Sequence, residues 1–152
     1  MKGFVEMKIA IGSDHAGYEV KQKVLGLVAE AGHEAFDKGT DSEESCDYPD
    51  YAKAVAEAVS AGECELGILI CGTGLGMSMA ANKVKGIRAA KVCSMYESEM
   101  SRKHNNANVL CLGARSMDYD NLIEPIVKVW LATDFEGGRH ERRVAKIMAI
   151  EN

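Results

Sequence analysis

The sequence predicts an α/β protein: a three-layer α/β/α sandwich around a five-stranded, parallel, Rossmann-like sheet. Three observations predict it. Short aliphatic or β-branched runs alternate with helix-spaced patterns from Lys8 onward, and that alternation implies βαβ crossovers. The clearest run, "LGILIC" at 66–71, is apolar throughout, as a strand buried on both faces must be. No linker, internal repeat or low-complexity stretch divides the 152 residues. One domain over 1–152 is therefore expected, of a size that buries roughly 70% of its unfolded surface.

The elements follow in order. Residues 1–6 precede the first strand-like run and read as a short flexible extension. "KIAIGS" (8–13) is a buried strand by length and composition. Val20, Val24, Leu27, Val28 and Ala31 recur at helical spacing, and Gly32 supplies a stop. "HEAFDKG" (33–39) is a weaker second strand. Pro49 suits a first helical turn, and Ala52, Val55, Ala56 and Val59 line one face before Gly62 ends that helix. After the third strand, "IRAAKVC" (87–93) and "NVLCLG" (108–113) make a fourth and a fifth, separated by a helix over about 95–104. Helices over roughly 121–132 and 139–150 complete the chain. In such a sheet ligands sit beyond the carboxyl ends of the strands. The site should therefore collect "SDHAG", the loop after the second strand, "CGTGLG", and the loops after the last two strands.

Composition excludes several classes. A net charge of −5 argues against nucleic acid or an anionic membrane as a whole-surface partner, although basic residues gather locally in "GGRHERRVAK" (137–146). No segment approaches the ~18 consecutive apolar residues of a membrane span, and the first fifteen residues carry no signal-peptide pattern. The five cysteines are odd in number and never spaced CxxC, which speaks against common zinc, thioredoxin and disulfide frameworks. A cytoplasmic protein with reduced thiols is expected.

The loop "CGTGLG" (71–76) raises the functional question. The dinucleotide fingerprint is G-x-G-x-x-G after a first strand. Here Gly72, Gly74 and Gly76 alternate, position 77 is methionine, and the loop follows the third strand. A Walker A loop needs a terminal Gly-Lys-Ser/Thr, which is missing. What remains is physical: successive glycines let N–H groups converge into an anion-binding concavity at a helix start. A tight strand-to-helix turn alone needs fewer glycines, each of which costs up to ~1 kcal/mol of chain entropy when ordered. Cys71 sits at the strand end facing that concavity. Buried and inert, or a thiolate acting as base or nucleophile: position alone leaves both readings open. Cys46, Cys64, Cys93 and Cys111 have no comparable setting and read as structural or incidental.

Other groups have modest readings in isolation. Asp14 and His15 look like an N-cap with an adjacent surface histidine, yet their strand end should neighbour the glycine loop. His104 and Asn105 lie between a helix and the fifth strand, where a histidine complements the helix dipole. His33 falls at the opposite end of the sheet and reads as structural. Arg115 follows the fifth strand. Arg139 and Arg143, spaced i, i+4, can converge on one anion, with His140 and Arg142 pointing elsewhere.

Taken together, "KIAIGSDHAG", "DKGT", "DYPDYA", "GILICGTGLGMSMAANK", "GIRAA", "SRKHNNANVL" and "GGRHERRV" closely resemble the type B ribose-5-phosphate isomerases. These belong to a sugar-phosphate isomerase group that also includes galactose-6-phosphate isomerase subunits. The resemblance runs from Met7 through nearly the whole chain. It implies the fold inferred above, and a homodimer or dimer of dimers whose active sites are shared between subunits, with the helix at 139–150 packed on the partner. It implies Cys71 as the general base between C1 and C2, and His104 as the acid that opens the furanose ring, with Asp14 assisting. Thr73 and the backbone of Gly72, Gly74, Leu75 and Gly76 would hold the enediolate. His15, Arg115, Arg139 and Arg143 would bind the phosphate, and Asn105 the sugar. Met77 stands where one branch of the family carries a glutamate base, which places this chain in the cysteine branch. No cofactor or metal is expected, because isomerisation needs only a base and donors where charge develops. A hexose 6-phosphate of the allose or galactose type is the alternative substrate. A non-catalytic sugar-phosphate or nucleotide binder would leave Cys71 and His104 without a role.

Overall fold

The computed structural model describes residues 3–152, so the expected extension at 1–6 falls partly outside the described residues. From Gly3 to Met7 the chain has no regular secondary structure, but the Phe4 ring stacks on His33 with centroids 5.2 Å apart. His33 is buried there and its Nδ1 accepts from the Met7 amide at 3.1 Å, in keeping with a structural role.

Five parallel strands stand in the order β2-β1-β3-β5-β4: β1 (Lys8–Ser13), β2 (Glu34–Asp37), β3 (Leu66–Cys71), β4 (Ala89–Lys91) and β5 (Val109–Gly113). The connections carry α1 (Tyr18–Glu30), α2 (Tyr48–Ser60), α3 (Leu75–Ala81) and α4 (Met95–Lys103), and α5 (Glu124–Ala132) and α6 (Arg139–Ala149) follow the last strand. Side chains alternate between two cores because successive strand residues face opposite sides. Ile9, Ile11, Ile68, Ile70, Leu110 and Leu112 pack against α1 and α5, around the fully buried Trp130. Ala10, Leu69, Cys71, Val109 and Cys111 pack against α2 and α3. Helices on both faces explain why the central strands are apolar on both. Sheet and covering layers are thus the three-layer sandwich that the sequence predicts.

Two elements differ from expectation. The fourth strand keeps only Ala89–Lys91 of 87–93. It is an edge strand, and the Asn82 side chain satisfies both the N–H (2.8 Å) and the carbonyl (3.0 Å) of Ala89. The helix expected over 121–132 is divided. Asp118 caps Asn121 at 2.8 Å, a single π-helical turn covers Tyr119–Ile123, and α5 begins at Glu124. Pro125, lacking an N–H, cannot extend the preceding hydrogen-bond ladder.

β1 has β2 on one side and β3 on the other. The direction of winding reverses between β1 and β3, and that switch point is where doubly wound sheets bind ligands.

Candidate active site

The register brings three strand ends level. Ser13 of β1 pairs with Ile70, and Cys71 with Gly113 of β5. The Asp14 amide donates to the Ile70 carbonyl at 3.3 Å, so the two sides of the switch point are stitched together. Asp14 is buried and its Oδ1 accepts from the Gly17 amide at 3.1 Å, capping the short turn that holds His15. The His15 Nδ1 accepts from the Cys46 amide at 3.2 Å, which draws the loop after β2 over the crevice. Cys46 is thus a neighbour of His15, a contact its sequence setting did not signal. From the other side, the Ala114 and Arg115 amides donate to the carbonyls of Cys71 (2.8 Å) and Gly72 (2.9 Å). The Arg115 stem consequently lies over the glycine loop, its Cδ 3.7 Å from where a Gly72 Cβ would stand.

The loop centres on the sulfur of Cys71. Gly74, at φ +83°, turns its N–H onto Cys71 Sγ at 3.2 Å, a conformation that glycine adopts without steric cost. Thr73 Oγ1 accepts from the Leu75 amide at 3.2 Å. Gly76 has no room for a side chain because a Cβ would fall 2.3 Å from the Tyr48 ring. Met77 is fully buried in the α2/α3 core. Beneath the site, burial and then the neighbouring Cys71 push the Cys111 thiol far above its ordinary range, so it stays an inert core sulfur. Asp14, His15, Cys71, the glycine loop and Arg115 thus converge.

His104, Asn105, Arg139 and Arg143 do not join them. α4 runs back from the carboxyl end of β4, so His104, five residues before Val109, emerges at the amino edge of the sheet. Val109 pairs with Gly67, four residues before Cys71, which puts roughly 13 Å of strand between the two edges. The loop after His104 is held by two guanidiniums. Arg88 donates to the carbonyls of Asn105 (3.2 Å) and Asn106 (2.8 Å). Arg102 donates to Ala107 (2.6 Å) and Thr133 (3.2 Å) and lies 5.6 Å from the Trp130 ring. Arg139 and Arg143 are exposed on one face of α6. His140 turns inward, off the arginine face, and stacks on His104 with centroids 4.1 Å apart and planes 13° from parallel. Burial first, then His104, Arg139 and Arg143, lower its pKa, against an opposing pull from Glu136. Glu136, Tyr48, Arg88, Arg102 and this role of His140 went unread in the sequence. One signal existed: His140, Val144 and Met148 form an i, i+4 stripe pointing to the interior.

A cavity of about 890 Å³ lies elsewhere, between Gly3–Met7, the end of α1 and α5. Cys71 and the glycine loop take no part in it.

A sequence model of the Ribose/Galactose Isomerase family matches residues 9–147. The chain belongs to this family. Within it, ribose-5-phosphate isomerase B of Escherichia coli strain K12 is 50% identical over 95% of this chain and 96% of its own length. Ribose-5-phosphate isomerase B of Clostridium thermocellum superposes with a TM-score of 0.93 at 54% identity, covering 95% of this chain and 97% of that one. The family relative from Mycoplasma genitalium, solved with bound ribulose-5-phosphate, superposes with a TM-score of 0.89 at 44% identity, covering 95% of each chain. The chain is a homologue of the type B ribose-5-phosphate isomerases and shares their fold. No helix among the described residues is long and apolar enough to cross a membrane.

Proposed function

We propose that this chain interconverts ribose 5-phosphate and ribulose 5-phosphate through an enediolate, with Cys71 as general base and no metal. The observation that carries the reading is Cys71 Sγ, held at the switch point with the Gly74 amide 3.2 Å away. The kinship with enzymes named for this reaction, one of them holding ribulose-5-phosphate, supports the substrate.

In this mechanism the Cys71 thiolate removes the C2 proton of the open-chain aldose and returns it at C1. The Gly74 N–H solvates charge on the sulfur before and after transfer. Thr73 and loop amides other than that of Gly74 donate to the enediolate oxygens as charge develops there, and the C2 hydroxyl proton passes to O1 across the enediolate. His104 protonates the ring oxygen, with Asp14 taking the anomeric hydroxyl proton, and Asn105 contacts the sugar. His15, Arg115, Arg139 and Arg143 hold the phosphate, which fixes the reacting carbons over the sulfur.

His104 and the α6 arginines emerge at the edge opposite Cys71, so the reading requires a second copy. Each site takes its base and glycine loop from one subunit and its ring-opening acid and two arginines from the partner. Exposed Leu75, Met79, Met95, Tyr96, Ile147 and Ile150 supply apolar surface for such an assembly.

The test follows ketose formation from ribose 5-phosphate by the parent and by Cys71→Ala, beside allose 6-phosphate and galactose 6-phosphate. Positioned proton transfer contributes ~10²–10⁴-fold, and Cys71→Ala is expected to lose at least that much kcat. An unimpaired variant overturns the base assignment, and turnover of a hexose phosphate alone overturns the substrate. Chelation is expected to leave turnover undiminished.

A further inference from the structure

The side chains at the amino edge contain a group that the isomerase chemistry leaves unexplained. His140 is buried, and its Nε2 has no hydrogen-bond partner. A buried polar atom left unpaired costs about 1–3 kcal/mol. Glu136 Oε1 stands 3.6 Å from that nitrogen, too far for a hydrogen bond, and His104 lies against the same ring. One ligand atom from each of His104, Glu136 and His140 lies within 4.8 Å of the other two. We propose that His104, Glu136 and His140 bind a zinc-class divalent ion, and that the bound ion inhibits the isomerase.

Two imidazoles and a carboxylate are a donor set used by open zinc sites, which leave a fourth position to water. Nitrogen donors favour zinc, copper and nickel over magnesium and calcium. Metal–ligand bonds of about 2.0–2.2 Å place tetrahedral donors some 3.3 Å apart, so the cluster closes by at most about 1.5 Å. His140 is the fixed anchor, while half-buried His104 and exposed Glu136 can turn without unpacking the core. The stacked rings must splay, because parallel imidazoles aim their lone pairs side by side. His104, at the end of α4, is the ring free to rotate about Cβ–Cγ. The two ligand-bearing segments are already joined, since the Glu136 amide donates to the Lys103 carbonyl at 3.1 Å.

Inhibition rests on the proposed function, in which His104 supplies the ring-opening proton. With one ring nitrogen on the metal, His104 cannot become the imidazolium acid, and its remaining N–H is far too weak an acid for the ring oxygen. The ion disables ring opening without touching Cys71.

The experiment strips the full-length protein with a chelator, then titrates it with Zn²⁺ by calorimetry and with Co²⁺ by absorption. One ion per chain is expected, with intense visible d–d bands and no thiolate charge-transfer band. Glu136→Gln and His140→Phe should each weaken Zn²⁺ binding by more than the ~10–100-fold that loss of an outer-shell partner costs. Glu136 is exposed, so its variant stays informative if His140→Phe fails to fold. Activity should fall in step with occupancy and return on chelation, while Mg²⁺ has no effect. Unchanged affinity in the variants, a thiolate band, or no binding at all overturns the site. A fully active, fully occupied enzyme overturns the inhibition. Ligand-dependent zinc binding by a protein inactive even when metal-free leaves the site standing and instead sinks the isomerase reading.

Discussion

Gly74→Ala probes the geometry on which the candidate site depends. Gly74 sits at φ +83°, and a Cβ there meets the backbone of Leu112 at 3.0–3.2 Å. Those atoms belong to the middle of the sheet, paired with Ile70 of β3, and cannot retreat. A left-handed backbone costs an L-residue roughly 1–2 kcal/mol, and overpacking a fixed wall adds about 1–3 kcal/mol. The stiffer unfolded chain returns about 0.4–1 kcal/mol. The net expectation is a loss of about 1–5 kcal/mol, or roughly 2–18 °C in Tm for a domain of this size. Gly72→Ala, two residues earlier, is the internal control. Its Cβ meets only Arg115 Cδ, at an ordinary 3.7 Å, so its stability should stay within ~0.5 kcal/mol of the parent. Urea unfolding followed by circular dichroism, at one fixed protein concentration, measures both. Moving the Gly74 N–H off the sulfur should also lower kcat. Equal stability of the two variants refutes the packing argument. A destabilised Gly74→Ala with undiminished kcat refutes the role of that amide at Cys71.

Three further predictions concern the scaffold. Gly26 lies in α1 with nothing within 4 Å of an added Cβ, so Gly26→Ala should raise stability by about 0.5–1 kcal/mol in the same urea assay; a loss would mean the position is not open. Fully buried Lys21 pairs with partly exposed Asp37 at 2.7 Å. Asp37→Asn strands a buried ammonium and should cost about 3–5 kcal/mol. Lys21→Met leaves a partly solvated carboxylate that still accepts from the Gly39 amide at 2.8 Å, so it should cost clearly less; equilibrium unfolding that reverses this order refutes the asymmetry. Burial raises the thiols of Cys111 and Cys64. As pH climbs past the ordinary thiol pKa of about 8.5, the unfolded chain releases these protons and the folded one retains them. Stability must therefore fall toward alkaline pH, less steeply in Cys111→Ala, and a thiol-labelling series should modify exposed Cys93 while sparing Cys111. An unchanged alkaline slope in the variant removes Cys111 as its cause.

Legibility in the sequence tracked the range of the physics involved. β1 and β3 fall where their apolar runs do, at Lys8–Ser13 and Leu66–Cys71, because strands buried on both faces admit little else. The run 87–93 is longer than β4 itself because the sequence does not announce that Asn82 will take up the outer hydrogen bonds of Ala89. The break at Ile123 was carried by Pro125, whose consequence competes with the apolar periodicity around it. The placement of Asp14 and Cys71 was readable, since the switch-point rule puts strand ends there without any distance being known. The stacking of His140 on His104 was not, because it joins the end of α4 to the start of α6 through a loop whose course depends on Arg102 reaching the Ala107 and Thr133 carbonyls.

The separation of the proposed site residues into two edges follows from connectivity alone. A crossover helix in a parallel sheet leaves a carboxyl end and must return to the amino edge before the next strand. Any residue between helix and next strand is barred from its own chain's switch point, however well its chemistry suits it. His104 and Asn105 occupy that position before β5, and α6 meets them through the stacking of His140 on His104. Under the proposed function, chemistry split in this way operates only when another copy presents its amino edge to the crevice of the first. Dilution below the dissociation range of such an assembly should therefore abolish turnover while each chain stays folded. Turnover that persists in a demonstrated monomer refutes the shared site.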